Sequence, residues 1–229
     1  QNHDQIGNRA FGDRLSTLVP SAALKVAAAA VLLAPQTPLL FMGEEYGETA
    51  PFLYFIDHGD PDLVEAVRQG RRKEFAAFGW TDVPDPQDPA TFERSRIHPG
   101  TTADAGQTAL LQWYRELIRL RTSIPALGAA ATTGYECRVS VHLEAAVLTV
   151  LRRSPQGDAA LLVLGFNSQP TALALHEPAG MWALRLFSEN KTFGGQGRTA
   201  LPERLTVNPE GVTLALAPYE VAVYLSQPA

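Results

Sequence analysis

Four consecutive polar residues, Asn2, His3, Asp4 and Gln5, combine side chains that could bind a sugar. Asp4 supplies a carboxylate and His3 an imidazole, and the side-chain amides of Asn2 and Gln5 can both donate and accept hydrogen bonds. Sugar hydroxyls require this mixture of partners. A carboxylate in such a site could also stabilise the oxocarbenium ion that develops when a glycosidic bond breaks. Asn and Asp are also suited to helix caps and turns, and the four residues taken alone favour that structural interpretation.

A second polar group lies between Gly43 and Gly59. A retaining glycosidase needs two carboxyl groups about 5–5.5 Å apart, and two adjacent glutamates do not readily aim at one sugar. We therefore expect one of Glu44 and Glu45 to contact substrate hydroxyls or an arginine while the other is structural. Arg9 is expected either to pair with a carboxylate nearby or to contact substrate, and neither alternative is favoured. Polar residues of this group that could line a pocket include Glu44, Glu45, Tyr46, Glu48, Asp57 and His58.

These two groups of residues are expected to lie on loops that flank an apolar helix. Residues 1–15 show no clear period and contain two glycines, which predicts a loop. Pro20 and Pro35 bracket an alanine-rich apolar segment, so a buried helix is predicted over residues 21–34. The unbroken apolar run 38–42 predicts a strand covered on both faces, as in a parallel sheet. These elements are typical of the last crossover of an α/β barrel or open sheet, whose sites lie at the carboxyl ends of the strands.

The rest of the sequence predicts two more helices and then a β domain. Asp60, which is followed by proline, favours a helix start, residues 79–106 are predicted to be irregular, and an amphipathic helix is predicted over residues 107–122. Short β-type runs separated by turn residues then predict an antiparallel sandwich. We place the domains at residues 1–130 and 131–229. The predicted strands cover residues 135–142, 145–153, 159–166, 171–176, 182–187, 212–217 and 219–225.

The run Asn2-His3-Asp4 resembles the fourth sequence motif of the α-amylase superfamily of glycoside hydrolases. Within that superfamily, the longer stretch QNHDQIGNRAFGDRL is similar to enzymes that release trehalose from trehalose-capped glucans. The resemblance implies a retaining hydrolase on a (β/α)8 barrel that cleaves the α-1,4-glucosidic bond next to a terminal trehalose. Glucan transfer, as in a branching enzyme of the superfamily, is the alternative. The discriminating feature is Asn2 with Gln5, because branching enzymes typically carry Ser and Glu at these two positions. Further stretches that extend the resemblance over the whole chain are PLLFMGEEYGETAPFLYFIDH, VRQGRRKEF, DPQDPATFERS and APYEVAVY.

The resemblance also implies residue roles. By its position in the motif, Asp4 matches the catalytic carboxylate that stabilises the transition state, and His3 matches a contact to sugar hydroxyls. The nucleophile and the general acid/base belong to motifs that this sequence lacks, and they are expected upstream. The chain is therefore expected to be the C-terminal portion of a longer polypeptide, to act with the N-terminal part and to be inactive alone. The expected substrate-binding residues are Asn2, His3, Gln5, Arg9, Glu45 and Tyr46.

Composition narrows the remaining classes of function. The formal charge of −5 offers no basic face for phosphates, which argues against nucleic acid as a partner. The longest apolar run, residues 22–34, is interrupted by Lys25 and falls short of the ~20 residues that a membrane span needs. A single cysteine, Cys137, fits a reducing compartment, and a cytoplasmic enzyme without metal or cofactor is expected. A non-catalytic glycan-binding module in residues 134–229 is a third hypothesis.

Overall fold

A computed structural model describes residues 1–80, 82–99, 104–128, 134–176, 178–197 and 199–227. These residues fall into two compact units. The first is drawn from residues 1–20 and 39–102, and the second from residues 21–38 and 103–229. No helix in the described ranges has both the length and the apolar character that crossing a bilayer requires. The predicted domain boundary at residues 130 and 131 lies outside the described residues and stays a prediction.

Three of the observed helices correspond to helices that local sequence signals predict, and their bounds agree to within about two residues where both were predicted. Asp60 caps the helix that follows it, because its side chain accepts hydrogen bonds from the backbone N–H groups of Asp62 and Leu63. The helices predicted over residues 21–34, after Asp60 and over residues 107–122 are confirmed. The α-helices of the described residues are α1 (His3–Gly7), α2 (Leu15–Leu18), α3 (Ser21–Leu32), α4 (Pro61–Ala76), α5 (Pro89–Arg94) and α6 (Ala105–Ser123).

The first fifteen residues are not the loop that the sequence predicted. They contain α1 and the start of α2, joined by a turn in which Gly12 has a φ of 61°. A helix of a single turn has too few residues to show a period, so a prediction based on periodicity missed α1. The segment 79–106, predicted to be irregular, likewise contains α5, which the Asp88 side chain caps at the N–H of Ala90.

The strand predicted over residues 38–42 is absent. No strand of the described residues pairs with this run, and three of its five side chains are exposed. Its carbonyl groups have other partners: that of Phe41 accepts from the N–H of Glu44 at 3.0 Å, and that of Met42 accepts from Nη1 of Arg14 at 2.8 Å. A strand needs neighbouring strands to satisfy its backbone, so an apolar run is not sufficient by itself.

The β domain consists of two antiparallel sheets. The larger has the strand order β1-β2-β3-β8-β5-β6, and the smaller pairs β4 with β7. All seven predicted strands are confirmed, whereas β6 was missed because it has only four residues and begins with a charged one. The strands are β1 (Glu136–His142), β2 (Val147–Arg153), β3 (Ala159–Gly165), β4 (Thr171–Leu175), β5 (Gly180–Phe187), β6 (Arg204–Val207), β7 (Val212–Leu216) and β8 (Val221–Ser226).

The larger sheet is covered on both faces. Strand β3 shows this most clearly, because every one of its residues is buried. Leu162 and Leu164 belong to a core shared with α3 and α6, whereas Leu161 and Val163 belong to a core shared with the smaller sheet. The alternation follows from the two-residue period of a strand. The stacked sheets agree with the predicted sandwich, and the helical layer on the opposite face was not predicted.

A buried arginine on β2 connects these layers. Arg152 donates through Nη1 to the carbonyl oxygens of Leu33 at 3.0 Å and Leu127 at 2.9 Å, and through Nη2 to that of Gly128. These carbonyls lie just after α3 and at the end of the short helix Pro125–Leu127, where intrahelical donors run out. Burial lowers the pKa of Arg152. The guanidinium thus serves as a shared cap for two helix ends.

We expect R152M to lower the free energy of unfolding by about 3 kcal/mol, because buried carbonyls would lose their donors while the side-chain volume is largely kept. R153M is the matched control, since Arg153 is partly exposed and pairs with Glu136 at 3.3 Å in an ion pair worth about 0–1 kcal/mol. Urea denaturation of both variants measures the difference. Equal losses in the two variants would contradict the capping role of Arg152.

Candidate functional site

The start of α1 is fixed by a reciprocal pair of hydrogen bonds between two of the predicted site residues. Oδ1 of Asn2 accepts from the backbone N–H of Gln5 at 3.0 Å, and Oε1 of Gln5 accepts from the backbone N–H of Asn2 at 3.0 Å. This arrangement is a capping box. The interpretation of residues 2–5 as a helix cap is therefore confirmed for Asn2 and Gln5. Each side chain keeps its NH2 group for other partners.

The side chains of His3 and Asp4 take no part in the capping box and are exposed to solvent. Nε2 of His3 lies 3.1 Å from Oδ1 of Asp4, and the two side chains are 71% and 68% exposed. An imidazole and a carboxylate in contact offer both a donor and acceptors to a polar ligand. The structure therefore presents the pair at the surface of the first unit, and the catalytic role of Asp4 stays a prediction.

Arg9 and Asp13 form a second polar pair beside α1. Nε of Arg9 lies 3.1 Å from Oδ2 of Asp13, which realises the carboxylate partner considered for Arg9. Both residues line a cavity of about 350 Å³, a volume at the lower end of the range of ~300–1,000 Å³ that is usual for small-molecule sites. Asp4 is not among the lining residues, which are Gln1, Gln5, Ile6, Arg9, Asp13, Leu15 and Leu18.

The acidic loop, residues 43–50, folds around the side chain of Glu48. A short 3-10 helix, Glu44–Tyr46, lies between Gly43 and Gly47, whose φ angles are 87° and 72°. A Cβ atom at Gly43 would come within 2.7 Å of Cβ of Glu48, so this position requires glycine for space as well as for its dihedral angle.

Glu48 lies at the centre of the acidic loop and is only 3% exposed. Oε1 accepts from the backbone N–H groups of Thr49 and Ala50 at 2.8 Å each, and Oε2 accepts from that of His98 at 2.7 Å. Burial by itself would raise the pKa of Glu48, but the donors outweigh it and lower the pKa to about 2. The hydroxyl of Tyr46 also donates to Oε2, at 3.2 Å. Glu48 is therefore an ionised structural centre.

Arg14 connects the first segment of the chain to the last residue of the acidic loop and to the residue just before the loop. Its Nε donates to the carbonyl of Ala50 at 2.6 Å, and its Nη1 donates to that of Met42 at 2.8 Å. The guanidinium also lies over the ring of Phe41, 5.2 Å from its centroid. Nη2 is buried and finds no hydrogen-bond partner among the described residues. Burial lowers the pKa of Arg14, opposed most by the charge of Glu48.

The remaining predicted residues of the acidic loop differ in exposure. Glu44 is buried, and burial raises its pKa. Glu45 is partly exposed, so of the two adjacent glutamates it is the one accessible to a ligand. Tyr46 is buried, and burial together with the Glu48 carboxylate raises its pKa to about 12. Binding of substrate by Glu45 and Tyr46 stays a prediction.

Sequence reasoning missed the part that Arg14 takes in the site. Its partners are main-chain carbonyls 28 and 36 residues away, and no local pattern indicates such contacts. Glu48 was identified as one polar residue of the loop, but its buried position was not predicted. Within the described ranges, no group of three or more His, Cys, Asp and Glu side chains is placed to hold a metal ion.

Comparison with curated proteins identifies relatives of one kind. The malto-oligosyltrehalose trehalohydrolase of Rhizobium sp. (strain M-11) is 51% identical over 176 residues, which cover 76% of this chain and 28% of the relative. That of Arthrobacter ramosus is 50% identical over 127 residues, covering 55% of this chain and 22% of the relative. The chain is a relative of the malto-oligosyltrehalose trehalohydrolases. It spans about a quarter of the length of these trehalohydrolases. No family model matches the sequence.

Solved structures place the fold of this trehalohydrolase relative among the α-amylases. A crystal structure from Salmonella typhimurium, provisionally assigned as an alpha amylase, is 34% identical with a TM-score of 0.74 and covers 99% of this chain and 34% of its own. The structure of AmyP in complex with maltose is 18% identical with a TM-score of 0.56, covers 90% of this chain and 34% of its own, and supports the fold alone.

The low pKa of Glu48 predicts a pH-dependent contribution to stability. Because the folded pKa of about 2 lies below the ordinary value of 4.5, Glu48 stabilises the fold above pH 4.5, and this contribution is lost as the pH falls towards 2. We expect E48Q to lower the free energy of unfolding by about 3 kcal/mol at pH 7 and to flatten its decline between pH 5 and pH 2. E65Q, on the exposed side of α4, is the control. Parallel pH profiles for wild type and E48Q would contradict this assignment.

Proposed function

We propose that this chain is part of a retaining glycoside hydrolase that cleaves the α-1,4-glucosidic bond next to a terminal trehalose and releases trehalose. The observation that carries the proposal is the identity of about half of the matched residues with malto-oligosyltrehalose trehalohydrolases. The exposed His3 and Asp4 at the start of α1 support it, because they leave a carboxylate and an imidazole free to meet a sugar. A cytoplasmic location is part of the same proposal.

In this proposal the carboxylate of Asp4 faces the anomeric carbon as positive charge develops there, and it stabilises the oxocarbenium-like transition state. His3 hydrogen-bonds a hydroxyl of the same sugar. Asn2 and Gln5 use their oxygens in the capping box, so their contacts to substrate use the remaining NH2 groups. The capping box supports catalysis by fixing the direction in which Asp4 leaves the helix.

Glu45 and Arg9 are proposed as further contacts to substrate hydroxyls. Glu45 is partly exposed, and Arg9 lies in the cavity beside α1 while it pairs with Asp13. Tyr46 already donates its hydroxyl to Glu48, so the contribution of Tyr46 to binding is limited to its ring.

The nucleophile, the general acid/base and the rest of a (β/α)8 barrel are proposed to belong to an N-terminal part of the same polypeptide. The greater length of the trehalohydrolase relatives supports this arrangement. The side chains of Leu39, Leu40 and Met42 also support it, because three large apolar side chains exposed within four residues suit a surface that has a partner. The chain by itself is accordingly proposed to be inactive, and no nucleic acid is proposed as a partner.

We expect D4N in the full-length gene product to lower kcat for trehalose release by about a thousandfold or more, since the substitution removes the charge that the transition state needs. D62N, an exposed carboxylate in the first turn of α4, is the matched control and keeps kcat within about threefold. Release of trehalose from a trehalose-capped maltooligosaccharide is measured for both. Near-normal turnover by D4N would remove Asp4 from the mechanism.

The products of the wild-type protein test the reaction class in the same assay. Free trehalose supports the proposal. New branch points without trehalose would indicate a glucan transferase instead, and binding of maltooligosaccharide without turnover would indicate a glycan-binding protein.

A further inference from the structure

A single arginine on α4 connects three segments that are distant in sequence. Arg71 lies in the second half of α4, and its side chain is only 11% exposed. Its guanidinium carbon lies 4.5 Å from the ring centroid of Tyr54 and 4.6 Å from that of Phe75. A planar cation between two aromatic rings has little freedom to turn, and guanidinium suits such a site better than an ammonium group does.

The guanidinium of Arg71 also donates a hydrogen bond to α1. Nη2 of Arg71 donates to the carbonyl oxygen of Gly7 at 3.2 Å, and Gly7 is the last residue of α1. Nη1 lies 3.5 Å from Oε2 of Glu74, one turn further along α4. Arg71 therefore links the end of the helix that carries His3 and Asp4 to the longest helix of the same unit.

This link matters because α1 is too short to be stable by itself. Nucleation of a helix is unfavourable, and a helix of five residues adds almost no further hydrogen bonds to offset it. The position of α1 therefore depends on tertiary contacts. The capping box fixes its first turn from within, whereas Arg71 fixes its last residue from outside. Without the Arg71 contact, the end of α1 would be held only by the packing of Ile6 and Gly7, and Asp4 would be less firmly oriented.

Neither of the neighbouring arginines of α4 shows a contact with α1 among the described residues. Arg68 forms a two-pronged pair with Asp85, in which Nε lies 2.8 Å from Oδ1 and 2.9 Å from Oδ2. Arg72 is exposed. Of the basic residues in the stretch VRQGRRKEF, Arg71 is thus the one for which the described residues show a contact with α1.

We propose that Arg71 is a positioning residue that holds α1, and with it Asp4, in the orientation that catalysis requires. The inference rests on the proposed function for its catalytic consequence, and on the contacts of Tyr54, Phe75 and Gly7 for its geometry. Asp4 acts in the transition state, whereas His3 and Gln5 on the same helix each make a single contact to substrate, so loosening α1 lowers kcat by a larger factor than it raises the Michaelis constant.

The test compares R71M with R72M in the full-length gene product. Methionine keeps an apolar side chain between the two rings but cannot donate to Gly7. We expect R71M to lower kcat for trehalose release about 10- to 100-fold with KM within about threefold, since misplacement of a catalytic group by ~1 Å can cost about 100-fold. R72M is expected to behave as wild type, and R71K, which keeps a donor, is expected to recover part of kcat.

Hydrogen exchange provides a measurement that does not depend on activity. The amides of Ile6 and Asn8 donate to the carbonyls of Asn2 and Asp4 at 3.2 Å and 3.3 Å, and both report on α1. We expect R71M, but not R72M, to accelerate their exchange about tenfold while the amides of β8 stay unchanged. Unchanged exchange in α1 would overturn the proposal, as would a kcat for R71M equal to that of R72M. If the wild type releases no trehalose, the proposed function fails, and the exchange rates still decide whether Arg71 holds α1.

Discussion

The Glu48 carboxylate is buried inside the acidic loop and keeps its charge only because hydrogen-bond donors converge on it. Taking a carboxylate out of water costs several kcal/mol, whereas each hydrogen bond to a charged group contributes about 1.5–3 kcal/mol. The pKa of about 2 shows that the donors outweigh the burial. Since Thr49 and Ala50 supply two of these donors, the loop must close on its own side chain. The positions of Glu45 and Tyr46 follow from that closure.

Arg14 completes this arrangement with carbonyl oxygens in place of a carboxylate. The guanidinium is bound to the carbonyls of Met42 and Ala50, in a loop that carries three glutamates within five residues of one another. Those glutamates would otherwise repel one another, and their charges stabilise the buried cation in turn. Removing Glu48 would take away the charge that most opposes the lowering of the Arg14 pKa, whereas Glu48 would keep its backbone donors if Arg14 were removed. Arg14 therefore links the acidic loop to a separate segment of the chain.

The sequence was sufficient for the elements whose signals are local. The cap at Asp60, the prolines around α3 and the alternating strands of the β domain all specify structure within about ten residues, and all are confirmed. The prediction of a strand over residues 38–42 was wrong, because whether a segment forms a strand is decided by the other strands available to pair with it. The helix α1 was missed although Asn2 and Gln5 have the spacing of a capping box, since the same residues also suggested a loop with sugar-binding side chains.

The candidate site divides in the same way between local and distant causes. The chemical types of His3 and Asp4 can be read from the sequence, because they depend on residue identity alone. Their orientation cannot, since it depends on a capping box at one end of α1 and on Arg71, 64 residues away, at the other. Arginines that bond carbonyls carry no sequence signal that separates them from arginines on the surface. A transition-state interaction is sensitive to shifts of about 1 Å, and the precision of the site is therefore set by contacts that only the folded chain reveals.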